Sequence, residues 1–296
     1  MIIERQEHVT AAVLDAYQNI ADPRLREIML SLISHLHAFA RDVHLTEEEF
    51  QQAVGYLVKL GQLTNDTHNE AVLMSGSLGF STLICLLNNG NRGQTETTAN
   101  LLGPFWRMNS PRTENGGSII RSPTPGAPLF VNCVVRDQQG RPIAGAEVDV
   151  WHSSPEGLYE QQDETQADMN LRGKFMTDAE GRFGFRSVRP AGYPIPVDGP
   201  VGELLRAAGR HNMRPAHLHF LIFKDGFKTL ISQVYVKGAP YLDTDVQFGV
   251  TRALVGDYVR HDGGAPAADV SGEWYAFDQT FVMEPGVSKL PKPPIK

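Results

Sequence analysis

Cysteine is scarce in this chain: Cys85 and Cys133 are the only two, far apart and each inside an apolar run. That excludes a disulfide-dense scaffold and any thiolate metal site built on closely spaced cysteine pairs. Two buried thiols in a reducing compartment is the reading that fits. No apolar run reaches the roughly 20 residues that a membrane span requires. Met1 to Thr10 is mixed polar and acidic, without a hydrophobic signal core. A cytoplasmic protein with no membrane span is therefore expected. Basic clusters are missing too: 27 Lys and Arg are scattered against 34 Asp and Glu, for a formal net charge of -7. That balance argues against nucleic acid as a partner. The pattern HExxH is absent, and no carboxylate stands beside a histidine pair at a diagnostic spacing.

What is present is an ordinary globular composition, 41% hydrophobic and 21% charged over 296 residues, enough for one large domain or two modest ones. Leu25, Ile28, Met29, Leu32, Ile33, Leu36 and Phe39 recur at helical spacing. Asp22-Pro23 reads as a helix start, with Pro at the first helical position. Thr46 followed by Glu49 makes a capping box, and Phe50, Val54, Leu57, Val58 and Leu60 suit the helix behind it. A third apolar helix is expected from about Glu70 to Leu87. These helices carry more apolar residues than one face needs. Core packing under the rest of the chain and an interface with a second copy both account for that excess.

After Gly103-Pro104 the period changes to that of strands. Leu129 to Val135 is an apolar run of strand length, and Ala146 to Trp151 alternates strictly. Phe175 to Thr177, Asp178 to Gly181 and Arg182 to Phe185 read as strand, turn, strand. Ala216 to Phe223 and Leu230 to Val236 flank an Asp225-Gly226 turn, and Tyr275 to Val282 is a further strand. The expected fold is mainly β: an antiparallel β-sandwich core (residues 104–296) behind an N-terminal α-helical domain (residues 1–103). Three long stretches, 152–172, 187–214 and 237–272, interrupt the strands, and loops of that length are usually functional or disordered. The Pro-rich segment Leu290 to Lys296 reads as a loose tail.

Two histidines, His217 and His219, sit two apart in a strand, where both side chains point to one side and can reach one metal ion. His35 and His37 have the same spacing in a helical pattern, about 200° apart around the axis, and read as unrelated to metal. Taken alone, His217 and His219 also read as two hydrogen-bonded buried histidines. Tyr159 and Tyr193, in the long loops, read alone as aromatics packed on a sheet. A non-catalytic β-sandwich module and a zinc hydrolase using the two histidines are the rival readings. Spacing alone does not decide among these readings.

Several ordered segments together resemble the intradiol ring-cleavage dioxygenases. They are Gly140 to His152 (GRPIAGAEVDVWH), Gly157-Leu158-Tyr159, the Pro190 to Pro196 loop, Arg214 to Phe220 (RPAHLHF) and Ile231-Ser232-Gln233. The likeness runs from about residue 20 to 285. It implies a β-sandwich with an N-terminal helical segment, which agrees with the two-part pattern. It implies Fe(III), one per subunit, held by Tyr159, Tyr193, His217 and His219. Two phenolates and two imidazoles form a hard set that suits Fe(III) better than Zn(II) or Cu(I). A free tyrosine has a pKa near ~10, and a trivalent cation removes that proton. Arg214 and Gln233 are implied to stand beside the substrate. Arg214 would stabilise developing negative charge on the ring, Gln233 would orient bound oxygens, and Tyr193 would leave the metal to act as a base.

By the same resemblance, Leu73, Gly76, Leu101, Gly103, Pro104, Phe105, Phe248, Gly249 and Val250 line the substrate pocket. Leu-Gly-Pro-Phe and Phe-Gly-Val look like the branch that cleaves hydroxyquinol (benzene-1,2,4-triol) with O2, giving maleylacetate through 3-hydroxy-cis,cis-muconate. Gly76 departs from that branch, where an acidic residue would hydrogen-bond the third hydroxyl. Catechol or a chloro- or methyl-substituted catechol, giving cis,cis-muconates, is the alternative. The resemblance favours a homodimer through the N-terminal helices and allows a bound phospholipid at that interface.

Overall fold

The two helix starts that carry a sequence signal are made by the side chains that give it. The structure, a computed structural model, describes residues 2–90 and 97–295. Met1, Lys296 and residues 91–96, the last inside the expected helical domain, lie outside the described residues. By compactness the chain falls into two units, residues 1–58 and 59–296.

The first unit holds α1 (Gln6–Tyr17), α2 (Pro23–Asp42) and most of α3 (Glu47–Leu63). Asp22 caps α2 by accepting from the Arg24 and Leu25 N–H groups. The Thr46–Glu49 capping box closes reciprocally, with Thr46 N–H donating to Glu49 at 2.9 Å and Glu49 N–H to Thr46 Oγ1 at 3.3 Å. The first helix was not anticipated from sequence, and no side chain caps its start. His37 meets Thr10 Oγ1 at 3.0 Å, and His35 donates to Ser31 O within its own helix. Both histidines are thus used locally. The apolar stripe of α2 is not covered: Leu25, Ile28, Leu32, Leu36 and Phe39 are 44–57% exposed, and only Ile33 of that helix is buried.

The second unit begins with α4 (Glu70–Ser77) and α5 (Phe80–Asn89). The single apolar helix expected here is two, bent 75° apart. Gly79 has φ +70° and stands as the N-cap of α5, a left-handed conformation that glycine adopts without the Cβ penalty and that a continuous helix cannot contain. Among the described residues no single helix is long and apolar enough to cross a membrane.

The strands follow as β1 (Pro128–Asp137), β2 (Glu147–Trp151), β3 (Arg172–Met176), β4 (Arg182–Val188) and β5 (Tyr193–Pro194). After α6 (Pro200–Ala207) come β6 (Met213–Arg214), β7 (His217–Phe223), β8 (Leu230–Val236), β9 (Val255–Gly256), β10 (Tyr258–Asp262) and β11 (Glu273–Met283). They form a four-stranded sheet in the order β10-β11-β1-β4, a five-stranded sheet β3-β2-β7-β8-β9 and the small pair β5-β6. Purely antiparallel sheets were expected, and the structure corrects this. β1 runs parallel to β11, and β8 parallel to β9. Alternation reports which face of a strand is buried, not its direction, and a parallel partner brought back from a distant part of the chain leaves no local turn signal.

The turn at Asp178 to Gly181 is also not a hairpin. β3 belongs to one sheet and β4 to the other, so the turn carries the chain between them. The inner faces of the two sheets share one apolar core, in which Leu129, Val131, Phe183, Phe185, Phe277 and Phe281 meet Val148, Phe175, Leu218, Phe220 and Val234. Rings pack across it, Phe220 on Phe281 at 4.8 Å and Phe175 on Phe185 at 5.3 Å. The Pro-rich tail is docked rather than loose: Ile295 is buried and Pro294 O accepts from Asn69 Nδ2.

Candidate active site

Strand alternation puts Leu218, Phe220 and Val234 into the core, so His217, His219, Gln233 and Tyr235 project from the other face of the five-stranded sheet. Register gathers them. His217 stands opposite Tyr235, His219 opposite Gln233, Trp151 opposite His219 and Arg172 opposite Trp151. One row of the sheet therefore reads Arg172, Trp151, His219, Gln233. All are buried, because the long loops fold over this face.

Those loops bring in the tyrosines. Tyr159 and Tyr193 are 1% and 2% exposed, with Oη atoms 3.4 Å apart. Tyr193 packs on His217 at 5.4 Å between ring centroids and Tyr159 on His219 at 6.4 Å. The two imidazoles face each other through Nε2, 3.1 Å apart. His217 Nδ1–H donates to Pro215 O at 2.7 Å, so its Nε2 is an acceptor. His219 stacks on Trp151 at 4.6 Å and 10°, which fixes its ring plane. The structure thus brings together the four side chains that the family resemblance implies as ligands.

The electrostatics suit a bound cation. Burial, then Arg214, drive the His217 pKa down to about 3, and burial, then His217, hold His219 well below the usual histidine range. Both rings are neutral at neutral pH and free to offer lone pairs. Burial, reinforced by Tyr193, pushes the Tyr159 phenol well above its ordinary value. A phenol so placed ionises when a strong positive charge arrives beside it. Among the described residues no three His, Cys, Asp or Glu gather where they could share a metal ion. A metal centre here therefore rests on tyrosine oxygen. Two phenol oxygens and two imidazole nitrogens are a hard donor set fit for a trivalent cation.

Arg214 is anchored beside this group. Its Nε and Nη2 pair with the two oxygens of Asp245, both at 3.0 Å, and Nη2 also donates to Tyr235 Oη at 2.8 Å. Its Nη1 lies 3.4 Å from His217 Nε2. Burial works against the guanidinium charge, but Asp245, Tyr235 and Tyr193 hold its pKa well above the ordinary value. Tyr235 Oη–H then donates to Gln233 Oε1 at 2.8 Å, and Gln233 Nε2 donates to Leu101 O at 2.6 Å. A buried chain of polar groups runs from Asp245 through Arg214 and Tyr235 to Gln233.

The expected pocket residues divide. Phe105 packs on Tyr159 at 4.7 Å, and Gly103 approaches His219 so closely that a Cβ there would sit 3.3 Å from Cε1. Gly249 lies against Arg214 and Tyr235. Leu101, Gly103, Phe105 and Gly249 therefore meet the cluster directly. Pro104 is buried beside Phe105 in the chain. Leu73 and Gly76 are buried in α4 and are met by Gln247. Phe248 is 50% exposed and lies under the Arg210 guanidinium, and Val250 lines the same surface cleft.

Sequence reasoning missed Asp245, Tyr235, Trp151 and Gln247. Tyr235 had a signal, since it follows Gln233 by two on one strand and shares its face. Trp151 closes an alternating strand and was readable as a core residue. Asp245 had none, because its partner lies 31 residues away in the chain.

Comparison with known proteins follows the same lines. A family model described as "Dioxygenase" matches residues 101–283, and one described as "Catechol dioxygenase N terminus" matches residues 22–96. The chain is 41% identical to a 6-chlorohydroxyquinol 1,2-dioxygenase of Cupriavidus pinatubonensis, over 95% of this chain and 98% of that protein. It is 38% identical to a hydroxyquinol 1,2-dioxygenase of a Rhizobium species, over 94% and 95% respectively. Among solved structures, a hydroxyquinol 1,2-dioxygenase from Pseudomonas putida superposes with a TM-score of 0.84 at 36% identity, covering 95% of this chain and 99% of that one.

Proposed function

We propose that this chain, which belongs to the intradiol ring-cleavage dioxygenases, uses O2 to open hydroxyquinol between its adjacent hydroxyls, yielding maleylacetate by way of 3-hydroxy-cis,cis-muconate. The observation that carries the proposal is the convergence of Tyr159, Tyr193, His217 and His219 in one buried group beside Arg214. The cofactor is Fe(III), one per chain, with those four side chains as its ligands. When bound, it supplies the electron-accepting centre that makes a chelated aromatic diol reactive toward O2.

The remaining work falls to the side chains. Tyr193 Oη would take one hydroxyl proton of the arriving diol. Arg214, fixed in plane by Asp245 and Tyr235, offers Nη1 to the negative charge that develops on the ring. Gln233, held at both ends of its carboxamide, orients the substrate oxygens. Phe105, Leu101 and the close backbone of Gly103 keep water from the group.

The division into a helical domain, 1–103, and a catalytic β-sandwich, 104–296, is part of this reading, supported by family models that meet between residues 96 and 101. The uncovered stripe of α2 supports a homodimer through the N-terminal helices, and the family likeness allows a bound phospholipid there. Cys85 and Cys133, both unpaired, support a cytoplasmic location.

Gly76 favours a second substrate reading. A wall without an acidic residue at that position suits catechol or a substituted catechol. The test is O2 uptake by the iron-loaded protein with hydroxyquinol, catechol and 4-chlorocatechol in turn. Fastest turnover of hydroxyquinol is expected. Much faster turnover of catechol overturns the substrate assignment, and uptake with none of the three overturns ring cleavage itself.

A further inference from the structure

The space above Gly76 is already occupied. A Cβ built on Gly76 would fall on the side-chain carboxamide of Gln247, with Oε1 the nearest atom. Gln247 belongs to the other side of the wall, immediately before Phe248-Gly249-Val250, and is 5% exposed. Its carboxamide is held one way round. Nε2 donates to Ser77 Oγ at 3.1 Å and to Leu73 O at 3.4 Å, so Oε1 must point to the bare Cα of Gly76. Among the described residues no donor reaches that oxygen, although the residue is nineteen-twentieths buried. That oxygen is left free to accept from a polar ligand.

The backbone of Gln247 is tied to the catalytic group. Its N–H donates to Asp245 Oδ1, the oxygen that also accepts from Arg214 Nε. Thr82 Oγ1 donates to its carbonyl at 3.2 Å. Gln247 also lines a cavity of about 780 Å³ together with Leu101 and Gly103, and Gly103 is the residue that abuts His219. The cavity thus touches the carboxamide and the segment that abuts His219, without being lined by the four candidate ligands themselves, and its size lies in the range of small-ligand sites.

We infer that Gln247 determines specificity: its Oε1 accepts a hydrogen bond from the third hydroxyl of a 1,2,4-trihydroxybenzene, a task that needs no acidic side chain at position 76. This inference rests on the ring-cleavage reading and deepens it. A neutral amide accepts from a hydroxyl without needing ionisation or a counter-charge. A 1,2-diol lacks that hydroxyl and leaves the acceptor unpaired, which is how a buried polar group discriminates between otherwise similar substrates.

The test is steady-state kinetics of the iron-loaded enzyme with hydroxyquinol and with catechol, in wild type, Gln247→Met, Gln247→Glu and the double variant Gly76→Asp/Gln247→Ala. Gln247→Met keeps length and shape but removes the acceptor. Its ratio of kcat/KM for hydroxyquinol over catechol should fall about tenfold, mostly through KM for hydroxyquinol. Gln247→Glu keeps an oxygen acceptor and should retain most of the ratio. The double variant opens the space over position 76 and supplies a carboxylate there, so it should recover preference that Gln247→Met loses. A loss of packing alone would lower both substrates together and leave the ratio unmoved. An unchanged ratio in Gln247→Met, or an equal fall in Gln247→Glu, overturns the assignment to Gln247 while ring cleavage stands. Failure of the wild type to cleave either substrate removes the ring-cleavage reading and this inference with it.

Discussion

At the scale of single residues, the site depends on charges that are buried and matched. Arg214 and Asp245 are 2% and 4% exposed and bonded through two parallel contacts. Removing one partner of such a pair leaves the other uncompensated, so Asp245→Asn should destabilise the protein by about 3–5 kcal/mol in denaturant unfolding. A cost within that of a surface substitution would mean the pair is not formed. Asp149 is the opposite case. It has one hydrogen bond, from Trp106 Nε1 at 3.1 Å, and burial raises its pKa from 3.8 to about 6 despite the nearby Ser110 and Trp106.

Between those two values the folded state binds the Asp149 proton and the unfolded state does not, so this group makes stability fall as pH rises from about 4 to 6. Asp149→Asn removes that dependence. Its stability relative to wild type should be greatest near pH 7 and shrink by on the order of 3 kcal/mol as pH falls to about 4. A pH-independent difference would contradict the ionised, buried state. Tyr193 carries the third residue-scale expectation. Tyr193→Phe should keep part of the iron but lose about 100-fold or more in kcat, since the lost oxygen is the one proposed as both ligand and base; full activity would remove its role as a base.

At the scale of elements, the site exists because two short strands each present alternate residues to opposite masters. In β7 the even positions Leu218, Phe220 and Ile222 enter the core, and the odd positions His217 and His219 face the loops. That much was legible, because alternation and the Asp225-Gly226 turn are local. The direction of β1 against β11 was not, since nothing near either strand reports the other. The break between α4 and α5 was signalled only by Gly79, whose left-handed φ shows its purpose only in three dimensions.

The ligand tyrosines were legible only through resemblance. A tyrosine in a loop carries no sign of what faces it. Asp245 and Gln247 were not legible at all, because their meaning lies in contacts with Arg214 and Gly76 far along the chain. The element most exposed to a test is the close approach of Gly249, where a Cβ would sit 2.5 Å from Tyr235 Oη and 2.9 Å from Arg214 Nη2. Gly249→Ala should displace the Arg214–Tyr235–Gln233 chain, costing about 1–3 kcal/mol in stability and most of the ring-cleavage rate. Wild-type kinetics in that variant would show that the chain is not needed.

At the scale of the whole molecule, two facing sheets supply rigidity and four loops supply closure. The outer face of the five-stranded sheet would be an ordinary solvated surface if the segments around Gly103, Tyr159, Tyr193 and Asp245 did not fold over it. Burial then does two things at once. It drives both histidines to the neutral form, and it leaves the Tyr159 phenol to be ionised only by a strong positive charge beside it. The proposed chemistry therefore depends on that cation. The most direct measurement is visible absorption of the protein titrated with Fe(III), with iron counted per chain. One iron per chain and a tyrosinate-to-iron charge-transfer band are predicted, the band weakened in Tyr159→Phe and again in Tyr193→Phe. A colourless protein that takes up no iron, or a band indifferent to both tyrosines, would contradict it.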